Sequence, residues 1–133
     1  MRHNFVPAML ICGALICVVA FAGCGGSASA SKSQYGVRIK YARDSKIEFP
    51  DFTLIFIGQR RVTSPKYPRG FLYYDFKVNK GGVEKTVSWS SGAGDIGPTE
   101  FEVGGSSFLL ELERSDKLGR LGEDELVIWK KAA

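Results

Sequence analysis

Histidine and cysteine, the residues that most often carry nucleophilic catalysis and metal binding, are confined to the first part of this 133-residue chain. The only histidine is His3, and the three cysteines are Cys12, Cys17 and Cys24. Residues 25–133 therefore contain no imidazole and no thiol, which excludes Ser-His-Asp and Cys-His catalysis in that part of the chain. The ligands of most zinc, copper, haem and iron–sulfur sites are missing as well. We expect no cofactor and no metal.

Carboxylate pairs are the remaining candidates for catalysis. Glu100 and Glu102 alternate with apolar residues, as do Glu111 and Glu113, so each pair would lie about 7 Å apart on one strand face. Glycosidase carboxylates are separated by a similar distance. One hypothesis is therefore a carboxylate-dependent hydrolase built on Asp95 with Glu100 or Glu102. Any polar strand face produces the same spacing, and solvated faces are the simpler interpretation.

A glycine-rich stretch follows Trp89. Residues 92–97 match G-x-G-x-x-G, but the dinucleotide fingerprint requires a helix after the glycines. Here Pro98 and a strand pattern follow, so we interpret the stretch as a connecting loop. Small residues beside a tryptophan can also bring the backbone close to a ligand or partner. The candidate ligand or partner loop comprises Trp89, Ser90, Ser91, Gly92 and Asp95.

Basic residues surround a tyrosine further upstream, with Tyr73 and Tyr74 nearby in the sequence. Such mixtures bind phosphates, sugars or nucleic acid. The first 23 residues, described next, predict that the chain is exported. An exported protein meets lipopolysaccharide, anionic lipid or peptidoglycan sooner than nucleic acid, so we expect no nucleic-acid partner. A solvated loop with its tyrosines in the core is the alternative. The candidate patch for an anionic partner comprises Arg60, Arg61, Lys66, Tyr67 and Arg69.

Residues 1–23 have the layout of a secretory signal peptide. Met1 to Asn4 give a positive start, Phe5 to Ala22 carry no charge, and small residues follow. The apolar run is at the lower limit of what can span a bilayer, so an uncleaved membrane anchor is an alternative.

The end of this segment, Phe21-Ala22-Gly23-Cys24, resembles the lipobox of bacterial lipoproteins, with phenylalanine where leucine is usual. The resemblance implies cleavage before Cys24, a diacylglycerol thioether on its sulfur and acylation of the new amino group. Acyl chains, at about 0.8 kcal/mol per buried methylene, would hold the protein on a membrane. In that family, Gly25 rather than aspartate after the cysteine implies the outer membrane, facing the periplasm. Cleavage at Ala28-Ser29-Ala30 would instead give a soluble periplasmic protein.

The remaining chain predicts a short tether and one β domain. Residues 24–34 comprise the lipidated cysteine and a flexible segment of mostly Gly, Ser and Ala, and residues 35–133 form a single domain. Alternating runs predict strands at 35–41, 72–78, 83–89, 101–103 and 108–112, and apolar runs predict strands at 52–57 and 126–129. Asn79 to Gly82 predicts a hairpin turn. The fold class is all-β, a small antiparallel β-sandwich or barrel of six to eight strands.

These patterns favour a non-enzymatic binding or structural module, anchored in the cell envelope, whose partner is an envelope protein or an anionic polymer. The chain resembles the small, uncharacterised lipoproteins of the Gram-negative envelope. Ser91-Gly92-Ala93 is similar to the serine–glycine loop of the membrane-bound lysozyme inhibitors, which implies as an alternative a lysozyme or protease inhibitor that uses the Ser90–Asp95 loop. That family usually carries a disulfide, for which residues 25–133 have no cysteines.

Overall fold

The computed structural model describes residues 32–91 and 97–133. Every regular element in these ranges is a β-strand. The predicted signal peptide, Cys24 and most of the tether lie outside the described residues, as do Gly92 and Asp95 of the predicted loop. The strands are β1 (Ile39–Lys40), β2 (Lys46–Glu48), β3 (Thr53–Val62), β4 (Phe71–Lys80), β5 (Val83–Ser91), β6 (Thr99–Val103), β7 (Ser106–Leu112), β8 (Arg114–Ser115), β9 (Gly119–Arg120) and β10 (Glu125–Lys130).

The strands form two four-stranded antiparallel sheets and a two-stranded ladder. One sheet has the order β1-β10-β7-β6, the other has the order β2-β3-β4-β5, and β8 pairs with β9. Aromatic and aliphatic side chains from both sheets share one core, as in a β-sandwich. The predicted all-β antiparallel fold is confirmed. Seven of the described strands have three or more residues, and β1, β8 and β9 are two-residue additions.

Two tight hairpins close one end of the sandwich. Gly81 and Gly82 join β4 to β5 with φ values of 57° and 82°, and Gly104 and Gly105 join β6 to β7 with φ values of 57° and 80°. A two-residue hairpin with positive φ at both positions matches the twist of its strands, and glycine adopts that conformation without steric penalty. The hairpin predicted at Asn79 to Gly82 is thus confirmed.

A β-bulge divides β3 into two parts. The ladder with β4 shifts register between Phe56 and Gly58. Before the bulge, Leu54 and Phe56 face the core, whereas after it Gln59 stands opposite the core-facing Tyr74. Because of the extra residue, the even-numbered residues of β3 face the core before the bulge and the odd-numbered residues face that side after it. Beyond the bulge, β3 and β4 continue as a largely exposed hairpin, residues 59–75, which we call the arm.

The core is dense in aromatic rings. Phe52 contacts Phe101 and Phe108 edge to face, with centroids 5.5 and 5.0 Å away, and Tyr35 stacks on Phe49 at 5.5 Å. Each such side chain contributes about 1.5–3 kcal/mol when fully buried. This aromatic core holds together a described domain that contains no cysteine.

The structure corrects two details of the sequence interpretation. The strand predicted at 35–41 is reduced to Ile39–Lys40, because the chain turns at Gly36 (φ 74°), whose N–H donates to Ile128 O. Glu111, predicted to be solvated, is only 5% exposed. It lies on the outer face of its sheet, but the segment after β7 folds back, and its backbone contributes a hydrogen bond from Asp116 N to the Glu111 carboxylate.

Candidate functional site

The predicted basic and aromatic residues all lie on the arm, which extends from the sandwich at the end opposite the glycine hairpins. Arg60 and Arg61 are on its β3 strand, and Lys66, Tyr67 and Arg69 are in the connecting loop. Because successive strand residues point to opposite faces, the two arginines lie on different sides of the arm. The structure therefore gathers the predicted patch on one hairpin but spreads it over two faces.

Arg60 occupies the outer face and is already neutralised. Its Nε donates to Asp75 Oδ2 at 2.8 Å, and its guanidinium carbon lies 4.4 Å from the centroid of the Tyr73 ring. Asp75 also accepts a hydrogen bond from Ser88 Oγ on the neighbouring strand. Arg60 is thus fixed at the base of the arm, and its charge has a partner.

The other three cations of the arm have no carboxylate within ion-pair distance among the described residues. Arg61 donates to the carbonyl oxygen of Arg69 at 2.7 Å, which holds the loop against β3. The Lys66 ammonium lies 5.4 Å from the Tyr67 ring centroid. The arm therefore presents three charges that are available to an external anion.

The loop of the arm is ordered by local bonds and by an aromatic contact. Tyr67 N donates to Ser64 O at 3.0 Å, and Gly70 N donates to Tyr67 O at 2.9 Å. The Tyr67 ring meets Phe71 edge to face at 5.1 Å. Tyr67 is nevertheless 40% exposed and Val62 is 44% exposed. Apolar surface thus lies directly beside the unpaired cations.

The predicted partner loop begins beside the arm. Ser90 pairs with Tyr73, and Ser91 pairs with Leu72, at the last two positions of β5. Trp89, which we predicted as part of this loop, instead lies in the core at 1% exposure and packs edge to face on Tyr74. Its side chain faces the opposite sheet and is not available to a partner. Its Nε1 has no hydrogen-bond acceptor among the described residues.

The carboxylate pairs do not converge. Glu100 is bonded to Lys131 Nζ at 2.8 Å on the surface, and Glu102 accepts a long hydrogen bond from Ser107 Oγ at 3.5 Å. Glu111 accepts a hydrogen bond from Trp129 Nε1 at 2.6 Å on the outer face of the β7–β10 pair. Within residues 32–91 and 97–133 no group of three or more His, Cys, Asp or Glu could hold a metal ion.

A cavity of about 680 Å³, which sequence reasoning missed, opens beneath the arm. Its walls come from the inner side of the arm, from Tyr41 and from the segment that follows β7. These segments are far apart in the sequence, and no local pattern brings them together. Two leucines and two glycines line part of the walls, namely Leu112, Leu121, Gly119 and Gly122. The polar and aromatic side chains that line it are Tyr41, Gln59, Tyr74, Glu113, Arg114, Arg120, Glu123 and Glu125.

The two tyrosines of this cavity resist ionisation. Burial raises the pKa of Tyr41 to about 12, and Tyr74, Asp124 and Glu113 add to that increase. Burial also raises the pKa of Tyr74, with further contributions from the negative charges of Glu113 and Glu123. Both rings therefore stay neutral at physiological pH and present hydroxyl groups in a partly apolar wall.

The part of the chain that the structure describes contains no helix long and apolar enough to cross a membrane. No family model, curated protein or solved structure matches the chain.

Proposed function

We propose that this protein is a non-enzymatic binding module of the cell envelope, anchored by acyl chains on Cys24, that binds an anionic surface polymer through the arm. One observation carries the proposal: the arm cations that have no ion pair among the described residues, and the exposed apolar side chains beside them, lie at the opposite end of β3 from Ser33.

The geometry of β3 supports a separation between the anchored end and the binding end of the domain. Ser33 N donates to Glu48 O at 2.6 Å, and Glu48 is paired with Thr53, the first residue of β3. The loop of the arm follows Val62, the last residue of β3. Ten residues of strand span about 30 Å. A chain held to a bilayer through residue 24 would therefore have the arm at the end of β3 farther from its attachment point.

The chemistry of the arm favours a polymer with anionic groups and apolar faces. Arg61 and Arg69 can each donate two parallel hydrogen bonds to a phosphate or carboxylate, and Lys66 adds a third positive charge. Tyr67 and Val62 offer apolar contact to sugar rings or acyl chains between those groups. Lipopolysaccharide has this combination, and it passes through the periplasm, where the arm would lie.

The anchor is tested on the full chain expressed with its own leader. We expect mass spectrometry of the purified protein to show a chain that begins at Cys24 with acyl groups attached, and Cys24→Ser to move the protein from the membrane to the soluble fraction. A bare thiol at Cys24 with residues 1–23 still attached would contradict the anchor.

The arm is tested by binding of the detergent-purified protein to lipopolysaccharide over a range of salt concentrations. Lys66→Gln with Arg69→Gln should weaken binding at least about tenfold at low salt and reduce its salt dependence. The matched control, Lys32→Gln with Lys46→Gln, removes two charges away from the arm and should change affinity less than about twofold. Equal losses in both variants would refute a role for the arm.

A further inference from the structure

The cavity beneath the arm contains charged groups of both signs that have no partner within residues 32–91 and 97–133. None of Glu113, Arg114, Arg120 and Glu123 makes an ion pair or a side-chain hydrogen bond among the described residues. Charged side chains that line a concave surface without partners are available to a ligand. They are also distinct from the arm cations, none of which lines the cavity.

Arg114 and Arg120 stand directly opposite each other in the β8–β9 ladder. Directly opposed residues of an antiparallel ladder have their Cβ atoms about 4.5–5.5 Å apart, and like charges in this position destabilise the pair. No carboxylate among the described residues forms an ion pair with either guanidinium group. An anion bound between the two guanidinium groups would relieve their repulsion and would accept several charge-assisted hydrogen bonds.

The carboxylates of the cavity are held by a fixed backbone. Glu113 has a φ of 61°, a conformation that non-glycine residues rarely adopt, and its carbonyl oxygen accepts a hydrogen bond from Leu121 N at 2.9 Å. Tyr41 holds the facing segment, since its hydroxyl donates to Glu123 O at 3.2 Å. Strained backbone that its surroundings maintain is concentrated at binding sites.

We propose that this cavity binds a short zwitterionic peptide, whose carboxylate lies between Arg114 and Arg120 and whose ammonium group faces Glu113 and Glu123. Tyr41 and Tyr74 form the apolar wall against which its side chains pack. The volume of about 680 Å³ is within the range of about 300–1,000 Å³ that small-molecule sites occupy. A polyanion would be repelled by the two carboxylates. A neutral sugar would leave both the two arginines and the two glutamates without a counterion.

The raised pKa of Tyr74 agrees with this arrangement. Glu113 and Glu123 both contribute to the rise, which indicates that their negative charges lie close enough to act on the ring. A ligand ammonium group between these carboxylates would lie in that field at neutral pH.

The test uses the full-length purified protein and trialanine as the probe, with calorimetric titration. Trialanine should bind at least about tenfold more tightly than its C-terminal amide and its N-acetyl form, because each derivative lacks one of the two charges. Maltotriose, which is uncharged, should not bind measurably. Equal affinity for trialanine and both derivatives, or tighter binding of maltotriose, would overturn the proposal.

Variants localise the site. Arg120→Gln should weaken trialanine binding at least about tenfold, whereas Lys46→Gln, a charge removed from edge strand β2, should leave it unchanged. An unchanged affinity in folded Arg120→Gln would overturn the assignment. If that variant does not fold, the comparison of trialanine with its amide on the unaltered protein still decides the question. The peptide measurement requires neither the acyl chains nor lipopolysaccharide. A failure of peptide binding can therefore be distinguished from a failure of the proposed anchor or of the proposed role of the arm.

Discussion

The indole nitrogen of Trp129 donates a 2.6 Å hydrogen bond to Glu111 across the outer face of the β7–β10 pair. The two residues are diagonal neighbours, since Glu111 pairs with Val127 and Trp129 pairs with Leu109. The Lys117 ammonium lies 4.5 Å from the centroid of the tryptophan ring on the same face. This cluster attaches the segment after β7 to the sandwich and thereby fixes one wall of the cavity.

We expect Glu111→Ala to lower the free energy of unfolding by about 2–3 kcal/mol, because it leaves the indole N–H and the Asp116 N–H without their acceptor. Glu111→Gln retains an acceptor and should lower it by about 1 kcal/mol. Urea denaturation measures both. The control is Glu100→Ala, which removes an exposed ion pair with Lys131 and should change stability by less than about 1 kcal/mol. Equal effects at the two positions would contradict a structural role for Glu111.

Gly36→Ala should destabilise the domain more than Gly82→Ala. Both glycines have positive φ, 74° and 82°, so both substitutions place alanine in a conformation that costs about 1–2 kcal/mol. A Cβ at Gly36 would also lie 2.8 Å from the Trp129 ring, whereas nothing lies within 4 Å of a Cβ at Gly82. The difference between the two free energies of unfolding isolates this clash. Identical losses would show that the Trp129 ring moves aside without penalty.

The fold should lose stability in alkali, partly through Tyr41. Its pKa is raised from 10.0 in the unfolded chain to about 12, so its contribution is complete below pH 10 and is lost as the pH rises toward about 12. Two pKa units correspond to about 2–3 kcal/mol at most. Tyr35 and Tyr74, whose pKa values are also raised, act in the same direction. Tyr41→Phe should therefore show a shallower decline in stability above pH 10, and an unchanged decline would contradict this assignment.

Gly70→Ala should disturb the arm while leaving the core intact. Gly70 has a φ of 70°, and a Cβ there would lie 2.5 Å from the Val62 carbonyl oxygen, where the arm loop closes. We expect weaker binding to lipopolysaccharide, by at least about fivefold, with near-native near-ultraviolet circular dichroism from the buried Trp89. Gly82→Ala, in a hairpin at the other end of the sandwich, is the control and should bind normally. Full binding by Gly70→Ala would show that the arm loop is not required.

Strand patterns predicted much of the fold because most strands have one buried and one solvated face. The hairpin around Gly81 and Gly82 and the strand that contains Phe108 and Leu110 follow directly from alternation and turn residues. The short strands β8 and β9 were missed, since two-residue ladders in a polar, glycine-containing segment have no periodicity. Glu111 was misassigned because burial on the outer face depends on a later segment that folds back over the sheet.

The candidate site was predictable only where it is local in sequence. The arm is a single hairpin, so its cations and Tyr67 could be grouped from the sequence. The cavity joins Tyr41, Gln59, Tyr74 and Arg120, which come together only through tertiary packing. The sequence also did not distinguish Arg60, which is paired with Asp75, from the three arm cations that have no carboxylate partner in the part of the chain that the structure describes.

The bulge between Phe56 and Gly58 lets β3 absorb a change in its length at one point only. Removal of Ile57 would leave Phe56 opposite Phe76 and Gly58 opposite Asp75 in an unbroken ladder, so Arg60 would stay on the outer face of the arm. Removal of Gln59 would instead bring Arg60 opposite Tyr74, on the cavity side, and Arg61 opposite Tyr73 on the outer face. A single-codon deletion beyond the bulge would in this way interchange the ligand-facing and solvent-facing chemistry of the hairpin.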